Sequence, residues 1–164
     1  MKKLLLIVTI GFLTISCGVK KSKTTQYEFE NGWYFVTTSK KGTKPVKDRF
    51  GAEVVYVEAE PIVKSSEHSK IGITKQNWGG KEYTIIELIY EGEAKLKWAD
   101  ATERMSKTEE RAVFIYNDEF ISMLSSFLRK ENGYASISHE NFNEEMLAPI
   151  VAELKVQKND DSQF

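Results

Sequence analysis

Apolar and polar positions alternate with the period of a β-strand in several parts of the chain. Tyr27–Thr37 is aromatic and β-branched but is interrupted by Asn31-Gly32, a pair typical of tight hairpins. This segment therefore predicts either two short strands that meet at the pair or one strand over Trp33–Thr37. Ser39–Arg49 is rich in lysine and predicts a loop. The same alternation predicts further strands over Val54–Ala59, Ile71–Lys75 and Tyr83–Tyr90.

Helical spacing replaces this alternation over Gly92–Met105. Four apolar residues recur at intervals of 4, 3 and 4, which places them on one face, and Leu96 falls on the opposite face. Arg111–Tyr116 and Phe120–Met123 flank a turn and predict a β-hairpin, with Trp98 packed over its sheet. The four residues of the helical face are Ala94, Trp98, Ala101 and Met105.

The C-terminal part of the chain predicts one more strand and a last helix. The strand covers Tyr134–Ser138, and the helix begins near Asn141, where Glu144 can return the capping bond. Pro149 has no N–H to donate, so we expect a kink or a late helical start. The fold class is therefore α+β, a mostly antiparallel sheet with two main helices packed on one face.

The first seventeen residues have the composition of a secretory signal. Lys2 and Lys3 precede the apolar run Leu4–Ile15, which is shorter than the ~20 residues of a membrane-spanning helix. The only cysteine follows Ser16 directly, and Leu13–Cys17 resembles a bacterial lipobox. We expect a lipoprotein signal peptide over residues 1–16, with Cys17 acylated and inserted in the lipid bilayer. A plain secretory signal with an incidental cysteine is the alternative.

Three further segments complete the predicted organisation. Residues 17–26 form a tether, residues 27–157 form a single domain, and residues 158–164 form a flexible tail. Gly18 rather than Asp follows the cysteine, and in a Gram-negative host the resemblance to the sorting signals of such bacteria implies the periplasmic face of the outer membrane. The lysines of the tether either touch anionic headgroups or are solvated.

Composition and motifs exclude several classes of function. Without Lys2 and Lys3 the formal net charge of −1 becomes −3, so nothing favours nucleic-acid binding. His68 and His139 lie far apart in the sequence and are expected at the surface, so we predict no metal site and no cofactor. No nucleophile, phosphate-loop or zinc-protease motif occurs. We therefore expect no catalytic residues and no enzyme activity.

The aromatic residues are the more informative candidates for binding. Alternation places Trp33 and Phe35 on one face of their strand and Tyr34 on the other, as expected for core packing. Trp78 lies instead in a glycine-rich turn, Asn77-Trp78-Gly79-Gly80. It is a candidate protein-binding residue, and the alternative is that it folds back over a sheet edge.

Several blocks of the chain resemble the head subdomain of the first periplasmic domain of SecD/SecDF, the accessory factor of bacterial protein export. The blocks are Val57–Val63, Gly92–Thr102, Arg111–Ser122 and Phe142–Ala148, and the similarity covers roughly residues 54–156. Glu119 stands where the family usually turns on glycine, and Met123-Leu124 replaces its Ala-Pro. The transmembrane bundle that couples protons in that family is absent from the sequence.

This resemblance implies a SecDF-head-like domain that contacts client chains or neighbouring components. The expected function is a non-enzymatic, membrane-anchored periplasmic lipoprotein. Its expected partners are unfolded preproteins or envelope and translocon proteins. Two alternatives stay open: a small-molecule or glycan-binding lipoprotein with an aromatic-lined pocket, and a hydrolase whose residues come from distant positions.

Overall fold

The computed structural model describes residues 28–38 and 44–161. The predicted signal peptide, Cys17 and the predicted tether lie outside the described residues. Neither of the helices in this part of the chain is long and apolar enough to cross a membrane. The strands are β1 (Gly32–Thr37), β2 (Pro45–Asp48), β3 (Val54–Val57), β4 (Val63–Lys64), β5 (His68–Trp78), β6 (Lys81–Tyr90), β7 (Ala112–Tyr116), β8 (Glu119–Leu124) and β9 (Tyr134–Ile137), and the helices are α1 (Gly92–Thr108) and α2 (Glu144–Asp161).

Five of the strands close into a small barrel. Around the barrel the order is β3-β2-β8-β7-β1, and the end of β1 pairs back with β3. The start of β1 pairs with the short strand β4. All pairings are antiparallel except that of β2 with β8, in which Lys47 lies opposite Glu119. The α+β class is thus confirmed, but the expected single sheet is instead a closed barrel and a second sheet.

Side chains of the barrel strands alternate between the inside and the outside of the barrel. In β1, Tyr34 joins the apolar cluster enclosed by the barrel, whereas Trp33 and Phe35 join the larger core outside it, as predicted from the sequence. In β7, Val113 and Ile115 point inward in the same way. The enclosed cluster consists of Tyr34, Val46, Val55, Val57, Val113, Ile115 and Phe120.

The second sheet is three-stranded and antiparallel, in the order β5-β6-β9. The larger core combines residues of this sheet, both helices and the outward-facing side of the barrel. Trp98 is fully buried there, with its ring 5.3 Å from that of Trp33, and its Nε1 donates to the Tyr134 carbonyl at 2.8 Å. The predicted burial of Trp98 is therefore confirmed, and Leu96 lies on the exposed face of α1 as expected.

Of three predictions about strands and loops, one is confirmed and two need correction. Of the two alternatives for Tyr27–Thr37, the single strand over Trp33–Thr37 is confirmed as β1, because the chain before Gly32 forms hydrogen bonds with other groups. The predicted loop Ser39–Arg49 contains β2, whose single apolar residue, Val46, fills the barrel. β5 is more than twice as long as the predicted Ile71–Lys75, because it pairs with β6 along nearly its whole length.

The last helix also differs from its prediction. It begins at Glu144 rather than near Asn141, because Asn143 Oδ1 accepts a hydrogen bond from Met146 N at 2.9 Å and so caps the first turn. Pro149 lies inside α2, so the helix does not start at the proline, which was one of the two expected outcomes. The helix continues to Asp161, so the first four residues of the expected flexible tail are helical.

Candidate functional site

The β5–β6 hairpin has one open edge. Among residues 28–38 and 44–161, β5 pairs with β6 and with no other strand. At its start, Lys158 Nζ donates to the Ser69 carbonyl at 3.1 Å, so the open stretch begins after Ser69. An unpaired strand edge offers a row of backbone donors and acceptors to an extended chain.

The register identifies the residues of this edge. Tyr90 N donates to the Gly133 carbonyl at 2.9 Å, on the side of β6 that faces β9. Because backbone groups alternate in direction along a strand, the even-numbered residues of β6 direct N–H and C=O to β9, and the odd-numbered residues direct them to β5. The partners of the odd-numbered residues are the even-numbered residues of β5. The remaining residues of β5 therefore direct N–H and C=O to the open edge, and they are Ile71, Ile73, Lys75 and Asn77.

Helix α2 covers the inner face of β5 and leaves the hairpin tip beyond it. Lys155 and Lys158 of α2 line a cleft with His68 and Ile71 at the start of the strand. At the other end, Lys75 forms an ion pair with Glu82 at 2.9 Å, and this bond, aided by Glu144 of α2, raises the pKa of Lys75. Trp78, Lys81 and Glu82, at the tip of the hairpin, are exposed.

Trp78 ends β5 and lies opposite Lys81, not inside the turn as the sequence predicted. Its ring lies 5.3 Å from the ring of Tyr83, yet 43% of the residue stays exposed. Gly79 and Gly80 make the turn with φ of 60° and 82°, which glycine adopts without strain. Trp78 thus packs on its own hairpin and still presents a large apolar surface to solvent.

The outer face of the three-stranded sheet, on the side opposite α2, carries two further aromatic rings. Cross-strand pairing places Tyr83 beside Gln76, and Tyr134 beside Ile89, on the same face as Trp78. Gln76 Nε2 donates to the Tyr134 hydroxyl at 2.6 Å across the sheet. Sequence reasoning missed both tyrosines, although alternation along a correctly paired hairpin would have placed Tyr83 with Trp78.

The two histidines occupy separate surroundings. His68 is buried, contrary to the predicted surface position, because its Nδ1 contacts the Ser65 carbonyl and β5 begins at this residue. Burial lowers the pKa of His68. His139 is half-buried and stacks on Phe50 at 4.6 Å. Within the described ranges, no group of three or more His, Cys, Asp or Glu residues is placed to hold a metal ion.

The sequence has adjacent acidic residues at Glu109-Glu110, Asp118-Glu119 and Glu144-Glu145, and in each pair at least one carboxylate has a structural role. Asp118 Oδ1 accepts hydrogen bonds from Glu28 N at 2.8 Å and Phe29 N at 2.9 Å, which fixes the chain before β1. Arg104 holds Glu110 at 2.6 Å and lowers the pKa of its carboxyl. Glu144 stands in the first turn of α2, where a negative charge is favourable.

Two of the clefts in the described part of the chain lie beside the barrel or between the barrel and α2. One, of about 300 Å³, lies at an end of the barrel beside Tyr34 and the carboxylates of Glu30 and Glu60. Burial, with these carboxylates, raises the pKa of Tyr34 to about 12. The other, of about 360 Å³, is the apolar groove, lined by Phe50, Tyr116, Phe142, Met146, Pro149 and Ile150 together with Arg49.

Comparison of the chain with protein-family models, curated proteins and solved structures found no match. The function is therefore argued from the surfaces of the fold.

Proposed function

We propose that this protein is a non-enzymatic lipoprotein of the cell envelope that binds an extended segment of a protein client or of an envelope complex. The observation that carries the proposal is the open edge of β5 beside the exposed ring of Trp78. Acylated Cys17 anchors the domain, in a Gram-negative host at the periplasmic face of the outer membrane.

An added strand suits the β5 edge for physical reasons. Four residues with outward N–H and C=O groups allow regular main-chain hydrogen bonding to an extended polypeptide over about seven residues. Such bonds supply affinity for many sequences, and side-chain contacts supply selectivity. Trp78, at the end of this edge, is suited to an apolar residue of the bound segment.

The resemblance to the SecD/SecDF head supports a link to Sec-dependent export. Such a head, tethered by lipid and without a transmembrane motor, would hold unfolded preprotein segments without driving them. We propose this head-like role for the domain over residues 27–157. An α+β domain with an exposed strand edge is compatible with it.

Proline substitution tests the edge directly. Lys75 points its N–H outward, so Lys75→Pro removes an edge donor without breaking the β5–β6 ladder. We expect full-length Lys75→Pro to bind a fluorescently labelled, permanently unfolded polypeptide at least tenfold more weakly than wild type, as measured by anisotropy. Lys75→Ala is the matched control and keeps affinity within about twofold. Equal binding by the proline variant and wild type would exclude the edge.

Substitution of the tryptophan tests the neighbouring contact. Trp78→Ala should weaken the same binding about five- to thirtyfold, the loss expected of a central aromatic contact worth ~1–2 kcal/mol. Its thermal midpoint should stay close to that of wild type, because Trp78 lies at a hairpin tip. Leu96→Ala, which removes an exposed apolar residue elsewhere, is the control. Early unfolding of Trp78→Ala would show that Trp78 is structural.

A second candidate ligand is a glycan. The exposed Trp78 and the half-buried Tyr83 and Tyr134 share the outer face with Gln76, and aromatic rings beside a polar side chain can pack against the apolar faces of sugar rings. The same variants separate the two ligands. Glycan binding at this face would be lost in Trp78→Ala but retained in Lys75→Pro, because the edge takes no part in it.

A further inference from the structure

Two lysines of α2 lie where the open edge of β5 begins. Lys158 belongs to the last turn of the helix, yet its Nζ reaches across to β5 and donates to the Ser69 carbonyl at 3.1 Å. Lys155 lies one turn earlier and lines the same cleft, of about 390 Å³, together with His68 and Ile71. The start of the edge is therefore positively charged.

Neither lysine has a carboxylate partner among the side chains that the structure describes. An ammonium group has three donors, so Lys158 keeps two of them after its bond to Ser69. Burial lowers the pKa of His68, and the positive charges of Lys158 and Lys155 lower it further, as expected of two ammonium groups close to the ring. An anionic group bound at this end of the edge therefore meets unpaired positive charge.

The position of the Lys158 ammonium favours one kind of anion. Backbone carbonyls of a strand lie close to the plane of the sheet, so an Nζ atom bonded to the Ser69 carbonyl stands at the sheet edge itself. Side chains of an added strand project above and below this plane, whereas its main chain runs within it. A carboxylate that ends the main chain is therefore better placed to meet Lys158 than a carboxylate on a side chain.

The charged end of the edge also defines a direction for the added strand. β5 runs from this end towards Trp78. A strand antiparallel to β5 runs the opposite way, so its C-terminus arrives beside Lys158. Pairing ends there, because Lys158 already occupies the Ser69 carbonyl. A segment that ends opposite Ser69 places the residue about nine positions before its C-terminus opposite Trp78.

We propose that the segment bound at the β5 edge is the C-terminal segment of the partner protein, antiparallel to β5, with its free α-carboxylate held by Lys158 and Lys155. This inference rests on the proposed function, because it uses the same edge, and it adds the class of segment that the edge selects. Main-chain hydrogen bonds supply affinity, and charge-assisted bonds to the carboxylate select a chain end. Trp78 selects an apolar residue upstream of that end.

Peptides that differ only at the C-terminus test the proposal. Each carries an N-terminal fluorescein, consists of twelve alternating serine and valine residues and has a leucine nine residues before its last residue. One peptide ends in a free carboxylate and the other in an amide. We expect the full-length protein to bind the free acid at least fivefold more tightly than the amide, as measured by fluorescence anisotropy. Equal affinities would overturn the proposal.

A third peptide separates a chain end from an acidic side chain. It ends in an amide but has glutamate as its last residue, so it carries the same charge on a side chain. We expect it to bind within about twofold of the plain amide, because its carboxylate projects from a face of the sheet. Affinity equal to that of the free acid would overturn the assignment to the α-carboxylate.

Lysine variants locate the contact. In Lys158→Met we expect the preference for the free acid to fall to about twofold or less, while the amide binds as it does to wild type and so reports an intact edge. Lys158→Arg keeps the charge and should keep the preference. Lys47→Met, which removes an exposed lysine from β2, is the matched control and should also keep it. A full preference in Lys158→Met would overturn the proposal.

Photocrosslinking tests the direction of the bound segment. Benzoylphenylalanine replaces the leucine of the free-acid peptide, and crosslinked peptides of the full-length protein are mapped after illumination. We expect crosslinks within residues 76–83, at the hairpin tip. Crosslinks within residues 68–71 would overturn the antiparallel orientation.

The proline variant separates failure of this proposal from failure of the proposed function. Lys75→Pro should weaken the binding of both the free acid and the amide at least tenfold, because both need the edge. If it does so while wild type binds the two peptides equally, the edge binds strands without distinguishing their ends, and only the present proposal is overturned. If Lys75→Pro binds both peptides as wild type does, the edge is excluded and both proposals are overturned.

Discussion

The barrel and the three-stranded sheet differ in whether the edges of their strands are paired. Each of the five barrel strands has two paired neighbours, whereas β5 of the second sheet has one in the described part of the chain. Both sheets contribute to the same large core, so the difference does not arise from poor packing. Closure pairs the backbone groups of the barrel strands within the fold, whereas the open sheet leaves a row of them at the β5 edge that no other described strand pairs with. Stability and binding should therefore be separable by mutation.

The largest effect is expected where both sheets meet. Trp98→Ala removes a fully buried indole that touches the barrel through Trp33 and the open sheet through Tyr90. We expect a loss of about 3–5 kcal/mol in the free energy of unfolding, measured by urea denaturation. Leu96→Ala on the exposed face of the same helix should cost under about 0.5 kcal/mol. A loss below about 1 kcal/mol for Trp98→Ala would contradict its role in joining the two sheets.

Alkaline pH should weaken the barrel through Tyr34. Burial raises the pKa of Tyr34 to about 12 in the folded state, against about 10 in the unfolded chain. The folded state binds the phenolic proton of Tyr34 more tightly than the unfolded chain does. The protonated Tyr34 therefore makes its full contribution to stability below pH ~10, and this contribution is lost between pH ~10 and ~12. The expected loss is about 3 kcal/mol, and Tyr34→Phe should reduce the dependence of stability on pH in this range. An unchanged slope in Tyr34→Phe would place the sensitivity elsewhere.

Matched isoleucines compare the two sheets more finely. Ile115→Val removes one methyl group from the closed interior of the barrel and should cost about 0.5–1.5 kcal/mol. Ile73→Val makes the same change at a partly buried position of β5 and should cost under about 0.5 kcal/mol. Chemical denaturation of both variants gives the comparison. Equal costs would mean that the open sheet is packed as tightly as the barrel.

The smallest effect is expected at the exposed ion pair of the hairpin. Lys75→Met removes the partner of Glu82, and both side chains are largely solvent-exposed. The midpoint of urea unfolding should therefore stay at the wild-type value, since exposed pairs contribute little. A clear shift would show that this pair holds the hairpin together, and the proline test at the same position would then need another edge residue.

The strongest local patterns predicted the elements well. The β7–β8 hairpin and the buried face of α1 followed from apolar spacing, because both segments are buried on a fixed period. β2 was missed because Pro45–Asp48 has one apolar residue and gains its structure from long-range pairing. β5 was underestimated because Gly72, Lys75 and Gln76 dilute its pattern, although pairing with β6 carries it on to Trp78.

Features that depend on tertiary pairing could not be predicted from the sequence. Alternation shows that a residue of β1 points to one face, but it does not show that β1 returns to β3 and closes a barrel. For the same reason His68 looked like part of a polar loop, although the fold buries it. Trp78 was noticed because it stands beside two glycines, whereas Tyr83 and Tyr134 carried no such signal.

The parallel pairing of β2 with β8, without which the barrel is incomplete, also constrains the order of folding. It joins Lys47 to Glu119 and Asp48 to Phe120, residues that are far apart in the sequence. A chain that emerges N-terminus first, from a ribosome or an export channel, cannot complete the barrel until β8 has emerged at Leu124. Until then Val46 and Val55 lack the strands that enclose them. Until β8 is available, the first half of the chain therefore exposes apolar side chains that the complete barrel buries, and exposed apolar side chains favour aggregation.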